Sequence, residues 1–166
     1  PTFAGMTKRS GALIHAQHRY ETETRLAHAS LRDFQNWKEW TGATCGFTKT
    51  GCAIVVAEKD ATTLRAQAER LQKIGGRNQI LSPQELLDRE PNARVDDLAL
   101  AAYEPDAGYA DPVLATQTLA ARAKDAQRGV VFKTGTMAKS IRVNAGRIAG
   151  VETTTGDIEA LAVVLM

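Results

Sequence analysis

Tyr103-Glu104-Pro105-Asp106-Ala107-Gly108-Tyr109-Ala110-Asp111-Pro112 is the stretch on which the reading of the fold turns. The residues before it, 98–103, are mostly apolar and read as a strand. Glu104 and Asp106 flank turn positions. Asp111 then stands where an N-cap belongs, and Pro112 occupies the first helical position, where its missing N–H is no loss. A helix is expected from there to about Arg128, with Gly129 as its stop. A strand, a turn and a capped helix in one passage point to a mixed fold.

Beyond that helix the sequence suggests four β segments, at 130–133, 137–143, 147–153 and 158–166. Turns at Thr134-Gly135, Asn144-Ala145-Gly146 and Thr155-Gly156 separate them. The last run, Leu161-Ala162-Val163-Val164-Leu165-Met166, reads as a buried strand of a sheet covered on both faces. Such a strand seldom ends a protein and no Met begins this one, so both ends are expected to be cut.

On the other side, Ser82-Pro83-Gln84-Glu85 is the strongest helix start in the chain. Ser82 caps, Glu85 completes a capping box, Leu81 and Leu86 form a hydrophobic staple, and Pro91 keeps the helix short. Asp60 caps a helix carrying Leu64, Ala68, Leu71 and Ile74, closed by Gly75-Gly76. Residues 45–49 and 52–57 lie either side of Thr50-Gly51 and read as a hairpin. A helix over 21–40 carries Leu26, Phe34 and Trp37 with small Ala29 and Ser30, and Thr41-Gly42 stops it. The order is mixed, so the class is α+β, with α/β as its neighbour.

Composition narrows the function. The chain has 166 residues, with 21 Lys and Arg against 19 Asp and Glu, so it lacks the basic excess that phosphate contacts demand, and no nucleic-acid partner is expected. Its longest apolar run is too short to span a membrane, and no signal peptide is visible, which leads to a cytoplasmic expectation. Cys45 and Cys52 lack zinc spacing and are expected as reduced thiols near each other across the hairpin. No G-x-G-x-x-G, G-K-[ST], G-x-S-x-G or H-E-x-x-H occurs, so a dinucleotide cannot be held here by that glycine fingerprint alone. His15, His18 and His28 lack a carboxylate at ligand spacing. The trio Glu104, Asp106 and Asp111 invites calcium, but Asp111 is already a cap, so no metal site is expected. Trp37 and Trp40 read as core. These residues alone name no reaction.

Six motifs in order carry a resemblance. They are Thr7-Lys8-Arg9-Ser10-Gly11-Ala12-Leu13-Ile14, then Tyr20-Glu21 leading into the first long helix, then Gly46-Phe47-Thr48-Lys49-Thr50-Gly51-Cys52-Ala53-Ile54. After these come Leu81-Ser82-Pro83-Gln84-Glu85-Leu86 with Pro91, the stretch Tyr103 to Pro112, and Gly146-Arg147-Ile148-Ala149-Gly150-Val151-Glu152-Thr153 with Gly156-Asp157-Ile158. Together they resemble the FAD-dependent oxidoreductase family that includes D-amino-acid oxidase, glycine oxidase and sarcosine oxidase.

The resemblance implies part of an α/β FAD-binding domain, residues 1–42 and 111–166, and part of a mixed-sheet substrate domain, residues 43–110. All of 1–166 would be one compact fragment, with the glycine fingerprint before Pro1 and much of the substrate pocket after Met166. It further implies that Arg9, Ser10, Gly11 and Ala12 line the FAD pyrophosphate and flavin, and that the backbone of Met137 faces the adenine. His15 and His18 would face flavin or substrate. The implied reaction of the parent is oxidation of a C–N bond in a small amine or amino acid, the hydride passing to flavin and the imine being hydrolysed. The isolated piece is expected to be inactive and, with exposed sheet edges, to self-associate. Two other readings stand beside it: a non-catalytic α+β binding module, and an FAD-family dehydrogenase of a hydroxy acid or glycerol phosphate.

Overall fold

A computed structural model describes residues 5–125 and 129–165. Where the sequence suggests one compact piece, the described residues fall into two units, one ending at residue 125 and one starting at 129. The first combines short helices and strands, the second holds only strands among its described residues, and together they make an α+β chain whose described strand pairings are all antiparallel.

In the first unit a 3-10 turn at Met6–Arg9 leads to β1 (Leu13–Ile14), α1 (Glu21–Gln35) and α2 (Trp37–Thr41). β2 (Thr48–Lys49), β3 (Cys52–Val56), α3 (Ala61–Lys73), β4 (Gln79–Leu81) and α4 (Pro83–Arg89) follow. β5 (Leu100–Glu104), β6 (Gly108–Tyr109) and α5 (Pro112–Asp125) complete it. Two three-stranded sheets result, ordered β1-β6-β2 and β3-β5-β4. The opening stretch of sequence thus holds the end of one central strand, β5, and all of the other, β6.

β5 is apolar almost throughout because both its faces are covered, as an unbroken apolar strand requires. On one face Leu100 and Ala102 pack against Ala61, Leu64 and Ala68 of α3. On the other, Ala101 packs against Leu81 and Leu86, the two staple residues flanking the cap of α4. That cap is the expected box: Ser82 Oγ accepts from the Glu85 N–H at 3.3 Å, and the Ser82 N–H donates to Glu85 Oε2 at 2.7 Å. Asp111 likewise accepts the N–H groups of Val113 and Leu114, both at 2.9 Å. The expected helix end at Arg128 lies outside the described residues.

Three expectations fail in this unit. Residues 48–56 are not a hairpin: β2 pairs with β6, with Lys49 opposite Gly108, while β3 pairs with β5, with Cys52 opposite Glu104. Two residues, Thr50 and Gly51, therefore face three, Pro105 to Ala107, so the apparent turn is one side of a bulge in a long-range pairing. Gly51 is required there, with φ +76° and the Tyr103 ring where a Cβ would stand. Leu26 is 71% exposed, and α1 buries Thr24 and Leu31 instead. Leu26 lies five positions from Leu31, about 140° around the helix, so both cannot face the core. Asp60 occupies the N-cap of α3, but its side chain makes no cap hydrogen bond.

The second unit is a meander of β7 (Ala138–Asn144), β8 (Arg147–Thr153) and β9 (Ile158–Glu159). Ala145 at φ +48° and Gly146 at φ +76° form the two-residue turn between β7 and β8. Two of the four expected β segments change. Residues 130–133 are irregular, with Val131 exposed, and the expected strand 158–166 shrinks to two residues, leaving Leu161 97% exposed. Apolar composition favours strand, but a strand also needs a ladder neighbour, and β8 offers one only to Ile158 and Glu159. Met166 lies outside the described residues. Among those described, no helix is long and apolar enough to cross a membrane.

Candidate functional site

Arg9, Ser10, Gly11, Ala12, His15 and His18 lie on one segment of the first unit, where Ser10 and Ala12 line one groove and His15 stacks on His18. The Ser10 N–H donates to Thr7 O at 3.2 Å, closing the 3-10 turn, and Ser10 Oγ accepts the Ala12 N–H at 2.8 Å. Ala12 has φ +54°, a left-handed conformation that a small side chain tolerates best. Its carbonyl accepts the Ala110 N–H at 3.1 Å, fastening the loop to the end of the opening stretch.

The outer side of the loop is open. Residues 5–11 are exposed, and nothing among the described residues stands within 4 Å of where a Cβ on Gly11 would be. Beside it runs a groove of about 400 Å³ whose walls include Ser10, Ala12, Phe34, Trp37 and Trp40. Trp37 is fixed by its Nε1–H, which donates to Thr118 Oγ1 at 3.0 Å, and by stacking on Phe34.

Behind the segment lies a carboxylate that the sequence reading assigned only to turns and calcium. Glu104, 1% exposed, accepts the Ala16 N–H on Oε2 at 2.8 Å and the Gln17 N–H on Oε1 at 2.7 Å. His15 Nδ1 lies 3.8 Å from the same Oε1, and the His15 ring stacks on His18 with centroids 4.6 Å apart. The signal was available: Glu104 directly continues the apolar run 98–103, so a strand one residue longer would have buried it.

Glu104, Asp106 and Asp111 are each engaged elsewhere. Glu104 holds backbone, Asp111 caps α5, and Asp106 is paired with Arg77 and with Lys49 Nζ at 3.0 Å. The Arg77 guanidinium, with Lys49 behind it, holds the Asp106 carboxyl down at about 2. Among the described residues no group of three His, Cys, Asp or Glu could hold a metal ion.

The cysteines do not face each other. Cys45 is buried with Trp37, Ala110 and Ala115, whereas Cys52 stands on β3 opposite Glu104, because the hairpin that would have joined them does not form. Burial raises both thiols, and the Glu104 charge raises Cys52 further, so neither is an activated thiolate. Met137 belongs to the second unit, one residue before β7. It is 64% exposed, and its N–H donates to Thr154 Oγ1 at 3.0 Å.

An open loop of small residues beside an aromatic-walled groove, on a fold of short antiparallel sheets and capped helices, is suited to holding an extended, flat ligand. The family model described as "FAD dependent oxidoreductase" (DAO) matches residues 1–165, and the chain belongs to that family. It is 26% identical to the mouse (Mus musculus) pyruvate dehydrogenase phosphatase regulatory subunit, mitochondrial, over 94% of this chain and 18% of that protein. Among solved structures it resembles L-proline dehydrogenase from P. horikoshii, with TM-score 0.82 and 26% identity over 94% of this chain and 41% of that one. Glycine oxidase from Geobacillus kaustophilus matches with TM-score 0.73 and 25% identity, over 96% of this chain and 44% of that one. The chain therefore spans under half of these solved structures and about a fifth of the curated relative.

The family is FAD-dependent, and the loop fits that group. Ser10 Oγ uses a lone pair on Ala12, and its own hydrogen finds no acceptor among the described residues, leaving it to donate outward. Lys8 and Arg9 are exposed beside it, so cations, a hydroxyl donor and an unobstructed glycine share one surface.

Proposed function

We propose that this chain is part of an enzyme that oxidises a C–N bond of a small amine or amino acid. Two observations support the reading: the outward-facing donors and open Gly11 surface of the loop, and the likeness to proteins named L-proline dehydrogenase and glycine oxidase. FAD, when bound, supplies the acceptor for the hydride of the carbon next to nitrogen, and the resulting imine is hydrolysed by water.

The chain's own residues bind and orient. Arg9 and Ser10 pair with phosphate oxygens, Gly11 and Ala12 allow close approach, the Met137 backbone meets the adenine, and His15 and His18 face the substrate. Residues 1–42 and 111–166 belong to the FAD domain of the parent and 43–110 to its substrate domain. The 166-residue piece alone is inactive and self-associates, which light scattering would check. The parent works in the cytoplasm; fractionation into mitochondria, as in the mouse relative's name, would change that assignment.

The test is the visible spectrum of the full-length parent before and after acid precipitation. A two-banded yellow spectrum is expected, with reduction by secondary amines or amino acids. A colourless protein that takes up no added FAD contradicts the reading. One observation favours a second reading: the mouse relative carries the name of a regulatory subunit. A yellow protein that no amine or amino acid reduces would select this non-catalytic alternative.

A further inference from the structure

Glu104 and His15 form an arrangement that holding the backbone does not explain. The carboxylate carries two charge-assisted hydrogen bonds from Ala16 and Gln17, one on each oxygen. A carboxylate oxygen accepts two hydrogens, so Oε1 keeps a free lone pair, and His15 Nδ1 faces it at 3.8 Å. That nitrogen is buried without a hydrogen-bond partner among the described residues, although the His15 side chain is 22% exposed. The exposed part of the side chain therefore lies away from Nδ1. The groups facing the imidazole are Glu104 from β5 and His18, whose ring stacks on it.

A histidine with a buried carboxylate on its Nδ1 side and its exposed part turned away from it has the form of an oriented base. Amine oxidation needs one, because an ammonium nitrogen has no lone pair to assist loss of the neighbouring hydride. From the geometry we infer that His15 is the base that takes the proton from the substrate's ammonium nitrogen, and that Glu104 is the positioning residue that aims it. In this step a substrate N–H bond breaks and an Nε2–H bond forms. The lone pair stays on the amine nitrogen, and the imidazolium charge is balanced by Glu104. This inference deepens the proposed function and rests on it.

The test uses the full-length, FAD-loaded parent with L-proline and glycine as probes, following anaerobic flavin bleaching in wild type, His15→Asn and Glu104→Gln. His15→Asn leaves both backbone bonds to Glu104 in place and is expected to slow bleaching about a hundredfold near neutral pH. At pH about 10 the amines increasingly supply their own free base, and the deficit should shrink. A purely structural role predicts no such recovery. Equal bleaching by wild type and His15→Asn overturns the inference while leaving the proposed function standing. A wild type that neither amine bleaches counts against both.

A second readout needs no turnover. In ¹⁵N-histidine NMR, His15 should carry hydrogen on Nδ1 in wild type and redistribute it in Glu104→Gln. Identical spectra would overturn the pairing.

Discussion

The two units are held together by different means. In the first, β5 is buried on both faces and its partners come from about 50 residues earlier and 20 residues earlier in the chain, so helices α3 and α4 and the β3-β5-β4 sheet depend on one strand. In the second, β7 and β8 are neighbours in sequence, and of the described residues only Gly150 and Thr153 are buried. Long-range burial makes the first unit a scaffold that can hold a charged group such as Glu104 in place. Local pairing leaves the second with an exposed apolar face. Because the hydrophobic contribution scales with area removed from water, the first unit should carry most of the stability.

The sharpest way to break that contrast is Leu71→Ala. Leu71 is fully buried against Ala16 and Leu31, and its loss should cost about 2–5 kcal/mol in urea unfolding. A cost near that of a surface change would mean that α3 is not part of the scaffold.

Next comes acid. Asp106 titrates at about 2 when folded against an ordinary 3.8, so its contribution is complete above about 4 and is lost as pH falls through 2. Asp106→Asn should flatten the part of the pH–stability curve between those values. An unchanged curve would remove the Arg77–Asp106–Lys49 cluster from the account. Ser82→Ala should cost about 1 kcal/mol by opening the capping box of α4. Smallest is Ile141→Ala on half-exposed β7, expected within about 0.5 kcal/mol. A larger loss there would show that the second unit is more tightly built than its exposure indicates.

The same contrast explains what could be read from the sequence. Ser82 to Glu85, Asp111-Pro112 and Asn144 to Gly146 were legible because their partners lie within four residues. Thr50-Gly51 carries the same local signal as a hairpin turn, yet the ladder it serves is completed by residues 100–109, and nothing local distinguishes the two. The apolar run before Met166 failed for the related reason that composition cannot supply a neighbouring strand. At the candidate site, the small residues Ser10 to Ala12 are singled out by their resemblance to a family motif. The burial of Glu104 was legible in the apolar run it continues, but its partners were not, because Ala16 and Gln17 reach it only through a long-range tertiary contact.

Gly11→Leu in the full-length parent tests the central claim, that this loop lies along FAD. Nothing among the described residues stands within 4 Å of a Cβ at Gly11, so the substitution is expected to leave the fold intact and to fill the space assigned to the cofactor. The measurement is the ratio of flavin to protein absorbance, with circular dichroism as the control for folding. The account expects an unchanged fold and a flavin content at least about tenfold lower at limiting FAD, an amount that corresponds to 1.4 kcal/mol. A folded variant that binds FAD as fully as wild type would contradict it.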